Sequence, residues 1–109
     1  TRFFVTEIVR EKIFLNYSAE IPYSCEVQIE SYKEDENIDR IRCIIYTERE
    51  SQKGILIGNK GAALKKVGIE ARKEIEKFIG KHIHLELFVK VKDNWRNNSA
   101  TLKNFGYTN

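Results

Sequence analysis

The four residues Gly58-Asn59-Lys60-Gly61 carry the clearest chemistry in this 109-residue chain. Two glycines around a short polar pair let the backbone turn sharply, and the missing Cβ atoms allow a ligand to come close to the main chain. Gly61 also stands where a long helical pattern begins. The N–H groups and positive dipole end of that helix would face the same ligand, and Lys60 adds a full charge. These features suit a phosphate group. The same four residues also serve an ordinary helix–helix turn, and the spacing by itself leaves both uses open. A nucleotide P-loop is excluded, because no Ser or Thr follows Lys60 and Gly54 precedes Gly58 by four residues where that motif needs five.

Other constellations point to no reaction. His82 and His84 lie two apart on a strand pattern and share a face, yet nothing supplies the remaining ligands of a metal site. Cys25 and Cys43 fall on the inward faces of paired strands. A hairpin turning near Asp35-Glu36 sets Cys43 opposite about residue 28, so two buried thiols are expected and not a disulfide. No nucleophile sits in a recognisable elbow, and Glu34, Asp35 and Glu36 occupy a polar connector. Neither a catalytic group nor a cofactor is expected within this fragment. Trp95, Phe88, Tyr46, Tyr32 and Tyr107 suit either packing or stacking on bases.

The elements that must hold the G-x-x-G turn follow from apolar spacing. Val5, Ile8, Val9, Ile13 and Tyr17 recur at helical intervals, predicting a helix over 3–17 that stops before Ile21-Pro22, since a residue preceding proline avoids helical geometry. From Ser24 the period becomes two, with Cys25, Val27 and Ile29 on one face. After the connector Lys33-Glu34-Asp35-Glu36-Asn37, Ile41, Cys43 and Ile45 alternate with Arg42, Ile44 and Tyr46, which predicts a hairpin. Gln52 to Gly61 reads as a short helix and turn. A longer helix follows, with the stripe Leu64, Val67, Gly68, Ala71, Ile75 and Phe78, ended by Gly80. Ile83, Leu85, Leu87, Val89 and Val91 alternate with polar residues in a third strand, joined to the second through helices and so expected to run parallel to it. A short helix over 98–105 closes the chain. The expected fold is α+β, a three-stranded mixed sheet covered on one face by helices, forming one domain over 1–109 with its core at about 24–92.

Composition sets the context. The chain is 41% hydrophobic and 32% charged, and it contains neither a long apolar run nor a visible secretory signal, which points to a reducing cytoplasmic setting. Methionine is absent even at position 1, as expected of a piece of a longer protein. The net charge of +3 is unevenly sorted: residues 1–39 hold four basic and nine acidic side chains, residues 40–109 fifteen and seven. Lys53, Lys60, Lys65 and Lys66 are therefore expected to supply a positive field that attracts a polyanion.

The strand pair, the turn Ile57-Gly58-Asn59-Lys60-Gly61, the long helix and the third strand, preceded by an extra helix, resemble a type II KH domain. More closely, Ser51-Gln52-Lys53-Gly54, the I-G-x-x-G turn, Ala71-Arg72 with Ile75-Glu76, the run from Leu85 to Val91 and Trp95-Arg96 are similar to the C-terminal domain of the Era family of ribosome-assembly GTPases. The resemblance spans nearly the whole chain. It implies binding of single-stranded RNA near the 3′ end of small-subunit (16S) ribosomal RNA, on the 30S subunit. It also implies an N-terminal GTPase domain outside this chain, to which GTP and Mg would belong; membrane association of that parent protein cannot be read here. Residue by residue, it puts a phosphate clamp on Gly58, Asn59, Lys60 and Gly61, with Ile57 at the apolar floor of a groove that takes about four nucleotides. The KH domain of a NusA-like transcription factor or of a ribosomal protein, and a KH fold used for protein interaction, are the alternatives. The Gln52-Lys53-Gly54 lead-in and the Trp95-Arg96 tail favour the Era type.

Overall fold

Residues of alternating polarity build the sheet on which everything else rests. In the computed structural model, which describes residues 1–18 and 20–92, strand β1 (Glu26–Lys33) pairs antiparallel with β2 (Ile38–Thr47). Strand β3 (His82–Val91) lies parallel to β2, in register from Ile38 opposite His82 to Thr47 opposite Val91. The sheet order β1-β2-β3 makes β2 central, and the sheet is mixed as expected.

The hairpin register differs from the expectation. Cys43 stands opposite Ile29, because the turn is centred one residue later and Glu30 is then left over as a bulge between the Ile29 and Ser31 pairings. Cys25 precedes β1 and donates its thiol to the Ile21 carbonyl at 2.9 Å. Cys43 is wholly buried, and burial pushes its thiol up to about 12. No disulfide joins the two.

Helices cover one face. The first, α1 (Arg2–Asn16), lies one residue earlier at each end than the apolar spacing suggests, and Tyr17 leaves it in extended conformation. Glu20–Tyr23 then forms a single helical turn, α2, with Ile21 and Pro22 buried. The expectation that Ile21 leaves helical geometry is corrected here: proline is tolerated in a first turn, whose N–H groups have no intrahelical acceptor. Helices α3 (Glu50–Ile57) and α4 (Ala62–Ile79) flank the 3₁₀ turn Asn59–Gly61. The core joins Val5, Val9 and Ile13 of α1, Leu56 of α3, and Val67, Ala71 and Ile75 of α4 to Val27, Ile41, Cys43, Ile45, Ile83 and Val89 of the sheet.

The expected α4 stripe is therefore split. Val67, Ala71 and Ile75 are fully buried, Leu64 and Gly68 are half-buried, and Phe78 is exposed against the ring of Phe4, with centroids 4.5 Å apart. Gly80 ends α4 in the left-handed region at φ 77°, where its N–H reaches the Glu76 carbonyl at 2.8 Å. On the face of the sheet that none of the described helices covers, Arg42 bridges Glu30 and Glu86, both at 3.3 Å, and lies over the Phe88 ring. The short helix expected over 98–105 falls outside the described residues, as do Trp95 and Tyr107.

Candidate nucleic-acid interface

The G-x-x-G turn is held from both sides. Gln52 is buried, and its side-chain oxygen accepts the N–H groups of Glu48 at 3.1 Å and Arg49 at 3.0 Å, which fixes how α3 leaves the sheet. Leu56 anchors the end of α3 in the core, and the Tyr17 hydroxyl donates to its carbonyl at 2.6 Å. The Gly58 N–H then closes α3 on the Gly54 carbonyl at 2.9 Å, and the Gly61 N–H returns to the Gly58 carbonyl at 3.2 Å. Such a tight reversal demands unusual backbone angles. Gly58 sits at φ 76°, ψ −177°, a region open essentially to glycine alone, and Gly61 at φ 77°, ψ 9°. Lys60 adopts φ 55°, the one positive value at a non-glycine among the described residues. The strained residue is thus the charged one at the tip.

Beyond Gly61 an open groove of about 340 Å³ runs between α4 and β3. Its helix side is Gly61, Leu64, Lys65, Gly68, Ile69 and Arg72, spaced by three and four so that they share one face; Leu85 and Leu87 form its strand side. Gly68 widens the groove, since a Cβ there would meet Leu87 Cδ1 at 3.7 Å. The groove contains two cations and no acid. A larger hollow of about 530 Å³ lies against α1, but Glu7, Glu11 and Glu74 line it with only Arg10 to balance them. Charge, not size, selects the α4–β3 groove for a polyanion.

The acids of α4 already have partners. Glu70 accepts from Asn16 at 2.8 Å, Glu74 from Lys12 at 2.7 Å, and Glu76 from Arg72 at 3.2 Å and from the Ile83 N–H at 2.9 Å. The Ile83 N–H holds the Glu76 carboxyl below its usual range. No ion pair with any described residue ties down Lys53, Lys60, Lys65 or Lys66. Glu74 and Glu76 are thus paired with cations while Lys65 and Lys66 of the same helix have no ion pair with a described residue, which leaves a positive field near the turn.

Of the residues expected from sequence, Gly58, Asn59, Lys60, Gly61 and Lys65 come together at the turn and the mouth of the groove. Lys53 on α3 is half-buried, and Lys66 is exposed outside the groove lining. Ile57 is half-buried against the core, as are Leu64, Leu85 and Leu87, but of these four only the three leucines line the groove, together with Ile69. Sequence spacing assigned Leu64 and Gly68 to the core and missed Ile69 and Arg72. The available signal was Ile69, an apolar side chain off the buried stripe and 39% exposed. Of the aromatics, Tyr32 packs against the core and Phe88 lies under Arg42 on the sheet face away from the described helices.

Comparison with known proteins places these features in a family. Residues 20–96 match the model of the KH domain. The chain is 52% identical over 107 residues to the GTPase Era of Geotalea daltonii, covering 97% of this chain and 36% of that protein. It is 50% identical over 107 residues to a chloroplastic ERA-like GTPase of Oryza sativa subsp. japonica, covering 97% of this chain and 25% of the relative. The chain thus spans between a quarter and somewhat over a third of these relatives. Among solved structures, a variant of Aquifex aeolicus Era bound to GDP and aluminium fluoride superposes with a TM-score of 0.87 at 39% identity, covering 99% of this chain and 37% of that one. Era in complex with MgGDPNP and nucleotides 1506–1542 of 16S ribosomal RNA matches with the same score, identity and coverage.

Proposed function

The chain belongs to the KH domain family, and from that premise we propose that it binds single-stranded RNA, with phosphates at Gly58-Asn59-Lys60-Gly61 and bases in the α4–β3 groove. One observation carries this reading: Gly61 belongs to both the turn and the groove, so a strand gripped by its backbone at one continues directly into the other. At the turn, Lys60 and the start of α4 offer positive charge to a phosphate. In the groove, apolar walls receive unstacked bases, which is how such modules hold about four nucleotides. Phosphate contacts position the strand and base contacts choose it.

The RNA we propose is the 3′ end of 16S ribosomal RNA during assembly of the small subunit. The solved complex of Era with nucleotides 1506–1542 of that RNA supports this reading. The relatives are named GTPases, and this chain spans only part of their length. We accordingly assign GTP, Mg and catalysis to a GTPase domain elsewhere in such a protein, the present chain acting as one RNA-binding domain. The proposed compartment is the cytoplasm; one relative is named as chloroplastic.

The test is a fluorescence-anisotropy titration of short single-stranded RNAs at two salt concentrations. Asn59→Asp combined with Lys60→Asp sets two carboxylates where phosphates must approach. Binding should vanish while circular dichroism stays unchanged, because both side chains are exposed. Equal binding by the folded double variant would move the site elsewhere and favour a protein-interaction role.

A further inference from the structure

Arg72 closes the groove at the end away from the G-x-x-G turn. It stands eleven residues beyond Gly61 on α4, about 16 Å along the helix axis, a span suited to the short run of nucleotides a KH groove holds. Its Nη1 donates to Glu76 Oε1 at 3.2 Å, and Glu76 Oε2 accepts the Ile83 N–H at 2.9 Å and lies 3.5 Å from His82 Nδ1. The guanidinium is therefore pinned through a carboxylate to the backbone of β3, while 39% of its side chain stays exposed. A guanidinium has five donors and no acceptor. Among the described residues only Glu76 engages it by a hydrogen bond.

Resting on the RNA-binding reading above, we infer that Arg72 is a specificity-determining residue, donating two hydrogen bonds to the edge of the base at the far end of the groove. A base is favoured over a phosphate as its partner for two reasons. Arg72 borders the apolar walls of Leu64, Ile69, Leu85 and Leu87 eleven residues beyond the turn, whereas Lys60 stands in the turn and Lys65 lines the groove next to it, where phosphates are held. Glu76 already balances the charge of Arg72, so a phosphate gains little there, whereas a neutral base needs only the free donors. A donor-only fork matches an edge with two adjacent acceptors. Guanine offers O6 and N7, cytosine offers O2 and N3, and adenine and uracil interpose a donor. The position should therefore prefer guanine or cytosine over adenine and uracil.

The test selects bound RNA from a randomised ten-nucleotide pool with the wild-type chain and with Arg72→Lys, which keeps the charge but not the planar fork. Wild type should enrich guanine or cytosine about tenfold at one position, and which of the two appears separates the candidate edges. Arg72→Lys should flatten that position alone, leaving affinity for adenine- or uracil-bearing RNAs within about twofold. Glu76→Gln serves as the positioning control and should blunt the same position without changing the others. Unchanged enrichment in Arg72→Lys, uniform weakening of all RNAs, or a wild-type pool without any such position would each overturn the inference. The Asn59→Asp, Lys60→Asp variant separates the two readings. If it binds normally while Arg72→Lys still erases one preference, the turn assignment fails and the Arg72 assignment stands.

Discussion

Gly58 and Gly61 both adopt positive φ, but they are glycines for different reasons. A Cβ on Gly58 would come within 2.6 Å of the Ala63 Cβ and 3.0 Å of the Ala63 nitrogen, in addition to needing angles that only glycine visits. At Gly61 nothing lies within 4 Å, so only the left-handed backbone opposes a side chain. Gly58→Ala should accordingly cost about 3 kcal/mol of folding stability, from backbone strain and the contact together. Gly61→Ala should cost only about 1 kcal/mol. Urea unfolding of the two variants compares them directly, and equal losses would mean that the close approach to Ala63 does not govern the turn. RNA binding should follow a different order: Gly61→Ala weakens it despite the milder loss, since the new methyl group faces the open mouth of the groove.

Elements were legible in the sequence wherever one face alone is buried. The alternation of Ile83 to Val91 and the spacing of Val5 to Ile13 each record a single buried side, which is why β3 lies where expected and α1 within one residue of it. The groove was not legible, because half-buried Leu64, Gly68, Leu85 and Leu87 carry the same apolar signal as core residues. Only the placement of α4 beside β3 separates them. One clasp between elements was equally hidden. Lys81, just past α4, bonds Asp39 Oδ1 at 2.6 Å and also the Asp35 carbonyl, while the Tyr32 hydroxyl donates to Asp39 Oδ2 at 3.1 Å. It ties the β1–β2 hairpin to the start of β3. The bond from Lys81 holds the buried Asp39 carboxyl below its ordinary range. A carboxyl lowered on folding stabilises the native state above its unfolded value, near 3.9, and that contribution is lost as pH falls through the folded value. Burial, with the bond to Asp39, pushes Tyr32 up to about 12, so its contribution is complete below about pH 10 and is lost as pH rises through 12. Urea midpoints measured from pH 2 to 12 should fall at both ends. Asp39→Asn should flatten the acid limb and Tyr32→Phe part of the alkaline one; limbs unchanged in both variants would remove the clasp from the account.

At the scale of the whole molecule, charge is sorted between two sides of α4. Lys65 at the groove has no paired acid among the described residues, whereas Arg10 sits in the hollow with Glu7, Glu11 and Glu74 and lies over the Phe14 ring. Replacing a cation that meets a phosphate on a single strand lowers the slope of log affinity against log salt by about 0.7. Lys65→Gln should show that change with all RNAs weakened alike, and Arg10→Gln should leave the slope unaltered. Titrations at four or more salt concentrations decide it. Equal slopes for both variants would mean that the field is diffuse and the strand does not pass Lys65.

The parallel pairing of β2 with β3 also has a consequence in time. Every paired position lies 44 residues apart in the chain, so β2 leaves the ribosome long before its second neighbour exists. At roughly 5–20 residues per second, about 2–9 s of synthesis separate the two strands. During that interval the β1–β2 hairpin can already be closed, but one edge of the central strand has no partner, and Ile41, Cys43 and Ile45 lack the cover of α4 until residues 62–79 have been made. The nascent chain thus passes through a stage with a sticky, half-built sheet, and a pause in translation between Thr47 and His82 would prolong it. Slow codons in that stretch should raise the insoluble fraction of newly made protein at the same final stability, a yield problem created by topology and not by the finished fold.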